Sequence, residues 1–391
     1  MELEENVLRE VRHRKESYMA LRQEFHRIPE LGMEERETTD LICQKLSAMG
    51  IDPVRLDPTG TVAYIGPTQA SCTVALRADI DGLPVKEETG LLFSSVHPGR
   101  MHACGHDGHI AGLLGAARLL KEREEQLSVR VKLIFQPSEE NTLGAAHILR
   151  QGVLSDVDRI FGLHLFSDMD TGEVSVEAGP RMAQTDRFSL VFHGRSGHAG
   201  KPHQCVDATV MAADFVMSAQ SIVAREVDPA KGAVVTIGSL QSGSQYNVIS
   251  GMARVEGTCR SYEEAVARHL REAVEARAKH IAAFYGGKAE VSYEYGAHPP
   301  VLNDKEFAEQ IAGRAEHLLK RPLTHVPPMM LGEDFSWYQT KVSGVFAFVG
   351  CHRPGTPCYP NHHPQFDIDG DALTDAVFLH LAAVAAAEDS V

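Results

Sequence analysis

Short β-branched runs alternate with an apolar helix along the first half of this chain, and that alternation restricts the fold to an α/β layer. Thr61–Ile65, Thr73–Arg77, Val129–Phe135 and Arg159–Leu165 read as buried strands. The Ala/Leu-rich stretch Ile110–Gln126 reads as a helix between the second and third. Residues 6–49 read as helix, broken at Pro29 and Gly32, resuming near Glu34 and stopped by Gly50 in C-cap position. Polar clusters fall where strands end. Ala78-Asp79-Ile80-Asp81 follows one run, Gln136-Pro137-Ser138-Glu139-Glu140 follows another, and His164 closes a third. Open α/β sheets bind ligands at the carboxyl ends of their strands, so these clusters are predicted to converge in space.

From about Thr185 the pattern changes. A strand (Arg187–His193), a helix (Val206–Val227), two strands (Ala233–Leu240 and Met252–Arg260), a helix (Glu263–Phe284) and a strand (Ala289–Tyr295) follow one another. This β-α-β-β-α-β order suits two helices on one face of a four-stranded antiparallel sheet, a ferredoxin-like α+β domain. Gly179-Pro180 and Gly296-Ala297-His298-Pro299-Pro300 read as hinges. The strand Val345–Val349 and the helix Asp371–Ala387 return to the first pattern. The expected fold is therefore an α/β/α domain with a central mixed sheet, residues 1–180 and 297–391, interrupted by an inserted domain, residues 181–296. The length of 391 residues favours two cores over one.

The strongest chemical signal is Met101-His102-Ala103-Cys104-Gly105-His106-Asp107-Gly108-His109, four metal-capable side chains beside an acid. Thiolate and imidazole suit zinc, manganese or nickel-like ions, and His102 with His106, or His106 with His109, could share a helical face. One segment rarely completes a site, so further ligands are expected elsewhere. Glu139-Glu140 is the first candidate, since one carboxylate can bind metal while its neighbour handles protons. Adjacent glutamates are usually a solvated surface, but their position directly after a strand favours a site. His164 and the turn Asn361-His362-His363-Pro364, before the strand-like Gln365–Ile368, are further candidates. His198, in the glycine-rich turn Gly194–Gly200 of the inserted domain, is suited to donating a hydrogen bond to a developing oxyanion.

Charge and cysteine usage narrow the class. A formal charge of −15 argues against nucleic acid or an anionic membrane as main partner. The seven cysteines are scattered without a CxxC pair, so a disulfide framework is not expected and a reducing cytoplasm is. The charged segment Met1–Arg14 is no signal peptide, and no run has the roughly 18 apolar residues of a membrane span.

Taken together these residues resemble the M20 metallopeptidase family, in its amidohydrolase branch of aminoacylases, hippurate hydrolases, N-acetyl-diaminopimelate deacetylases and auxin-conjugate hydrolases. The resemblance runs nearly end to end, through Phe25–Gly32, Leu76–Pro84, Met101–His109, Gln136–Glu140, Phe161–His164, Gly194–His198, Asn247–Ile249, Gly257–Arg260, Gly332–Phe335 and His362–Pro364. It implies that Cys104, His106, Glu140, His164 and His362 hold two divalent ions per subunit, manganese or zinc first and nickel or cobalt as alternatives, with Cys104 as the bridge. His362 is taken over His363 because the family's terminal ligand stands two residues before the proline. Glu139 is implied as general base and Asp79 as a supporting acid. Arg77 stands where other branches place a histidine ligand. Asn247 and Arg260 are implied to bind the substrate carboxylate, and the inserted domain to act as lid and dimerisation domain of a homodimer. His102 and His109 are left as supporting or structural residues. Asn141-Thr142-Leu143, where the branch is often glycine-rich, and Gly82, in place of a frequent alanine, depart from the pattern and bear on substrate choice.

The implied reaction is hydrolysis of the amide of an N-acyl amino acid by water shared between the two ions. A dipeptidase or carboxypeptidase is the alternative within hydrolases, and a metal-binding protein without catalysis the alternative outside them.

Overall fold

The structure is a computed structural model that describes residues 5–389. The chain divides into two compact units: Met1–Arg181 with Leu302–Pro327 and Asp334–Val391, and Met182–Val301 with Pro328–Glu333.

In the first unit, among the described residues, a seven-stranded mixed sheet runs in the order Val54–Arg55, Thr61–Ile65, Arg130–Gln136, Thr73–Asp79, Arg159–Asp170, Ser343–His352, Val174–Ser175. Thr73–Asp79 pairs in parallel with a neighbour on each side, and Arg159–Asp170 is parallel to Ser343–His352. Thr61–Ile65 and Val174–Ser175 close the parallel block as antiparallel strands. The seven residues of Thr73–Asp79 are all buried, the charged Arg77 and Asp79 included, because the strand has a partner on each side and helices pack on the sheet. The chain leaves this strand for the neighbour on one side, then crosses to the neighbour on the other. Thr73–Asp79 is therefore where the winding reverses, and the crevice beyond its carboxyl end is the natural ligand site of such a sheet.

Two groups of helices pack on the sheet. Lys15–His26, His106–Lys121, Lys305–Leu319 and Gly370–Glu388 pack together, and Gly144–Arg150 with Ser336–Gln339 form a smaller group. Gly370–Glu388 is long and apolar enough to cross a membrane, but 94% of its apolar window is buried in the unit, so it is a core helix.

Several boundaries differ from those expected. The helix expected at Ile110 begins at His106 and ends at Lys121, with a 3-10 turn at Glu124–Gln126. His102 therefore precedes the helix and does not share a face with His106. Helix 6–49 is three helices, Glu5–His13, Lys15–His26 and Arg36–Ala48. His164 does not close its strand, which runs on to Asp170. Gln365–Ile368 forms no strand among the described residues, with Gln365 still in the turn that carries His362. In each case apolar pattern located the element while tertiary contacts set its end.

In the second unit Ala233–Ser242, Met252–Ser261, Gln184–His193 and Lys288–His298 form, in that order, an antiparallel sheet. Helices Ala208–Ser221 and Glu264–Phe284 bury Phe215, Leu270 and Val274 against Phe188, Leu190 and Phe192 of the sheet. Asp207 caps the first helix by accepting from the Thr209 and Val210 amides.

The segment Gln136–Gly144 turns tightly as it leaves the sheet. Ser138 and Thr142 adopt left-handed backbone (φ 56° and 57°), and the Leu143 and Gly144 amides both donate to Ser138 O. A Cβ at Gly144 would lie 1.7 Å from Pro137 O, so no side chain fits. Gly144→Ala is expected to lose roughly 1–3 kcal/mol by forcing this turn open, measured by urea unfolding. A variant as stable as the parent would show that the turn tolerates rearrangement.

Candidate metal centre

Three elements deliver the sequence-predicted residues of the first unit to one place. Thr73–Asp79 ends on Asp79, Arg130–Gln136 leads into Glu139 and Glu140, and Arg159–Asp170 carries His164. Gly105, left-handed at φ 90°, turns the chain sharply before the helix that opens on His106. The fifth contribution is His362, itself left-handed at φ 71° and tied by its amide to Ala103 O at 2.7 Å. A non-glycine residue there costs on the order of 1–3 kcal/mol, which surrounding contacts must hold in place.

Cys104 is the hub. Its Sγ lies 3.4 Å from His164 Nε2 and 3.3 Å from His362 Nε2. Two groups of potential ligand atoms share it: Cys104, His106 and His164, and Cys104, Glu140 and His362, with the atoms of each group within 4.8 Å of one another. His106 Nε2 is buried and has no hydrogen-bond partner among the described residues. It faces Asp79 Oδ1 and Glu140 Oε1, each at 3.9 Å, too far for a hydrogen bond. Glu140 Oε1 is likewise buried without a hydrogen-bond partner and lies 3.3 Å from His362 Nε2. Separations of this size are those of ligands that each lie about 2 Å from a shared ion. The donor set of one thiolate, three imidazoles and a carboxylate thus fits divalent transition ions.

Hydrogen bonds on the far side of each ring fix which nitrogen is presented. His106 Nδ1 donates to Asp81 O at 2.9 Å and faces Asp81 Oδ1 at 3.1 Å, leaving the Nε2 lone pair free. His164 Nδ1 donates to Leu165 O at 3.0 Å and turns Nε2 to Cys104. His109 Nε2 accepts from the Leu165 amide at 2.9 Å, so its proton is on Nδ1, which donates to Asp79 Oδ1 at 2.5 Å. Asp79 and His109 therefore form a hydrogen bond from a neutral imidazole. His102 is buried with neither ring nitrogen hydrogen-bonded among the described residues.

The site is electrostatically negative. Burial lowers the pKa of His106, but the charges of Asp79, Asp81 and Glu140 outweigh it and push it up to about 10. Burial, reinforced by Glu140 and Glu139, holds the Cys104 thiol well above its usual value. A divalent cation reverses both effects, because it favours thiolate and neutral imidazole. Burial would raise Asp79, yet His106, Arg77 and His109 hold it well below the carboxylate range.

Two residues in this web were not singled out by sequence reasoning. Asp81 holds His106 with one carboxylate oxygen, and with the other accepts from the Glu140 amide at 3.0 Å, so one side chain orients two metal-ligand candidates. Asn361 Nδ2 donates to Cys104 O at 3.2 Å and to Leu165 O at 3.1 Å, fastening the His362 turn to the other two segments. Their only sequence signal was adjacency to ranked residues. Arg77 does not occupy a ligand position, since its guanidinium bonds Asp79, Gln136 and Asp334.

The remaining predicted residues belong to the second unit. His198 is exposed and pairs in a short ladder with Val248, and its Nδ1 accepts from the Gly200 amide at 3.0 Å. Asn247 is exposed, and Arg260 is half-buried with Nη1 on Thr185 Oγ1 at 2.8 Å.

Residues 75–385 match the peptidase family M20/M25/M40. The chain belongs to the M20 family. Its relatives place it in the amidohydrolase branch. It is 38% identical over 362 residues to N-acetyl-L-cysteine deacetylase of Bacillus subtilis (strain 168), covering 92% of this chain and 85% of that one. It is 33% identical over 386 residues to thermostable carboxypeptidase 1 of Saccharolobus solfataricus, covering 97% and 98%. Among solved structures it resembles the Bacillus subtilis YXEP protein, described as a dinuclear metal binding peptidase of this family. That match has a TM-score of 0.83 and 36% identity, over 96% of this chain and 98% of that one.

Beside the M20 centre, a buried ionic cluster braces Asp107, the residue after His106. Arg22 Nε and His26 Nδ1 both donate to Asp107 Oδ2, at 2.8 and 2.7 Å. His26 Nε2 meets Glu87 Oε1 at 3.3 Å, so both ring nitrogens face carboxylates and the ring is held as the imidazolium. Glu87 sits on the loop 84–100, which is closed at its neck by reciprocal Leu83–Met101 amide bonds and packs Phe93 edge-on to His26. Burial would raise Glu87, but His26, Thr89 and the Ser95 amide lower it from 4.5 to about 2. A depressed carboxylate stabilises the fold above its unfolded pKa and loses that contribution as pH falls through the folded one. Glu87→Gln is therefore expected to lower the melting temperature at pH 7, by an amount that shrinks between pH 4.5 and about 2. Thermal melts across that range check it, and a deficit independent of pH would remove the ionic account.

Proposed function

We propose that this protein is a metal-dependent amidohydrolase that cleaves the amide bond of N-acyl amino acids, releasing a carboxylate and a free amino acid. The observation that carries the reading is the pair of three-residue ligand groups sharing Cys104, with His106 Nε2 and Glu140 Oε1 buried and unbonded between them. Cys104, His106 and His164 would hold one ion, and Cys104, Glu140 and His362 the other. Two divalent ions there would supply Lewis acidity, polarising the amide carbonyl and lowering the pKa of water.

The chain's own residues do the rest. Glu139, at 8% exposure, is covered enough to exclude bulk water and stands next to a ligand candidate without belonging to either Cys104 group. We assign it the proton: its carboxylate takes one from the attacking water and returns it to the leaving nitrogen. Asp81 holds His106, and the Leu165 carbonyl holds His164, in the tautomer that presents Nε2, while Asp79 fixes the neighbouring His109. His198, whose Nδ1 already accepts a hydrogen bond, presents a protonated Nε2 suited to a developing oxyanion. Arg260 and Asn247 would bind the substrate carboxylate, for which a guanidinium fork is chemically apt. We assign catalysis to residues 1–180 and 297–391, and a lid and homodimer contact to residues 181–296. Seven free cysteines, one of them a ligand candidate, favour a reducing cytoplasmic setting.

A carboxypeptidase is the second reading, favoured by the 33% identity to a thermostable carboxypeptidase. A peptide is also an N-acyl amino acid, so the same site can serve both. Rates on N-acetyl-cysteine, N-acetyl-methionine, hippurate and a dipeptide, with manganese or zinc, separate them. The amidohydrolase reading expects acylated amino acids to be turned over fastest, and fastest turnover of the dipeptide would replace it with the second.

Glu139→Gln is expected to keep both metals by elemental analysis and to lose turnover by about 10²-fold or more. Retained activity in the metal-loaded variant would reject Glu139 as base. Arg260→Ala is expected to raise KM chiefly for substrates with a free carboxylate. Equal loss on amides lacking one would reject the carboxylate role.

A further inference from the structure

Gly332-Glu333-Asp334-Phe335 has no part in the chemistry assigned so far, yet its aspartate is fully buried beside the centre. Asp334 Oδ1 accepts from Gln136 Nε2 at 2.8 Å and Arg77 Nη2 at 3.2 Å. Its Oδ2 accepts from the Ala145 amide at 2.9 Å and again faces Gln136 Nε2 at 3.0 Å. The two oxygens grip opposite sides of the site. Through Arg77, whose Nη1 lies 2.6 Å from Asp79 Oδ2, Oδ1 sets the carboxylate that faces His106 and His109. Through Ala145, Oδ2 closes the turn that carries Glu139 and Glu140.

Gln136 completes the frame. It pairs in register with Asp79 across the parallel strands, and its Oε1 accepts from Arg77 Nε at 2.9 Å and from Tyr338 Oη at 2.8 Å. Phe335 lies under the Arg77 guanidinium, 6.0 Å from carbon to ring centroid. Every member of this network is buried.

We propose that Asp334 is a positioning residue for the metal centre, holding Asp79 and the Glu139–Glu140 turn at a fixed separation. The role rests on the two-metal reading. Mutually repelling carboxylates splay apart unless tethered, and an ion then does work to gather them, which lowers its affinity. Only a carboxylate can do this. Asparagine has one acceptor oxygen, which can serve Arg77 and Gln136 or the Ala145 amide but not both, and its NH2 would meet a donor on the other side.

The test is Asp334→Asn in the full chain, with Arg77→Lys as the second variant. Apoprotein is titrated with zinc by calorimetry, folding is followed by circular dichroism and melting temperature, and the cobalt-loaded visible spectrum reports ligand geometry. The parent is expected to take up two ions. Folded Asp334→Asn is expected to bind them 10- to 100-fold more weakly, about the loss expected when a residue supporting a metal ligand is removed, and with an altered cobalt spectrum. Arg77→Lys should show a similar loss, and the double variant little more, because both act through one tether. A purely structural aspartate would lower the melting temperature but leave the affinity and spectrum of the folded protein as in the parent, and that result would overturn the proposal. If Asp334→Asn does not fold, parental affinity and spectrum in Arg77→Lys overturn it instead. A parent that takes up no zinc would sink the two-metal reading itself.

Discussion

Four carboxylates, Asp79, Asp81, Glu139 and Glu140, crowd the carboxyl end of one sheet, three of them buried and the fourth nearly so. That concentration of negative charge is the constraint on which the rest of the first unit depends. Burying even one unpaired carboxylate costs several kcal/mol, so each must be matched by donors or cations. Asp79 has Arg77 and His109, while Asp81 has the His106 ring and the Glu140 amide. Glu140 has a buried oxygen whose near neighbours are the His362 and His106 rings, and His106 a buried nitrogen facing two acids. The protein chain satisfies its own electrostatics up to these atoms and stops where a cation completes them.

Much of this was readable before any coordinates. Thr61–Ile65 was placed to the residue, and the strands ending at Asp79 and Gln136 within two residues, because a buried parallel strand declares itself as a short apolar, β-branched run. Convergence of Asp79, Glu139, Glu140 and His164 followed from the rule for sheet edges without distances. Asp81 was legible only as a member of a converging cluster, with no role of its own, and Asn361 and Asp334 were assigned no role. Asp81 works on His106 25 residues away, and Asp334 works on Gln136 198 residues away. Hydrogen bonds at such separations leave no local periodicity, and their side chains look like any polar residue in a loop. His102 shows the opposite failure. It matched the metal-ligand pattern by spacing, but the helix begins four residues later, so the assumed shared face does not exist.

Asparagine, glycine and left-handed backbone do the geometric work that the helices and strands cannot. Gly105 opens the His106 helix, Ser138 bends the chain ahead of Glu139, and His362, a ligand candidate, is itself left-handed. None of these conformations is favourable alone for a residue with a side chain, and each is held by hydrogen bonds from another segment: Ser138 by Glu35 and His362 by Ala103. Local strain is thus tolerated where several distant parts of the chain agree on one position.

Arg77 shows how a change of one residue type redistributes roles in such a site. An imidazole at this position could reach only one neighbour with each nitrogen, whereas the guanidinium spans Gln136, Asp79 and Asp334 in one planar fork. With His106 and His109 its charge keeps Asp79 well below the carboxylate range, and Asp79 in turn accepts from His109 and faces His106 Nε2. With Arg77 committed to this fork it offers no ligand atom, and the two groups of ligand candidates meet instead at the Cys104 sulfur. Cys104 at the hub and Arg77 at the flank are, on this argument, two halves of one solution to charge balance at the sheet edge.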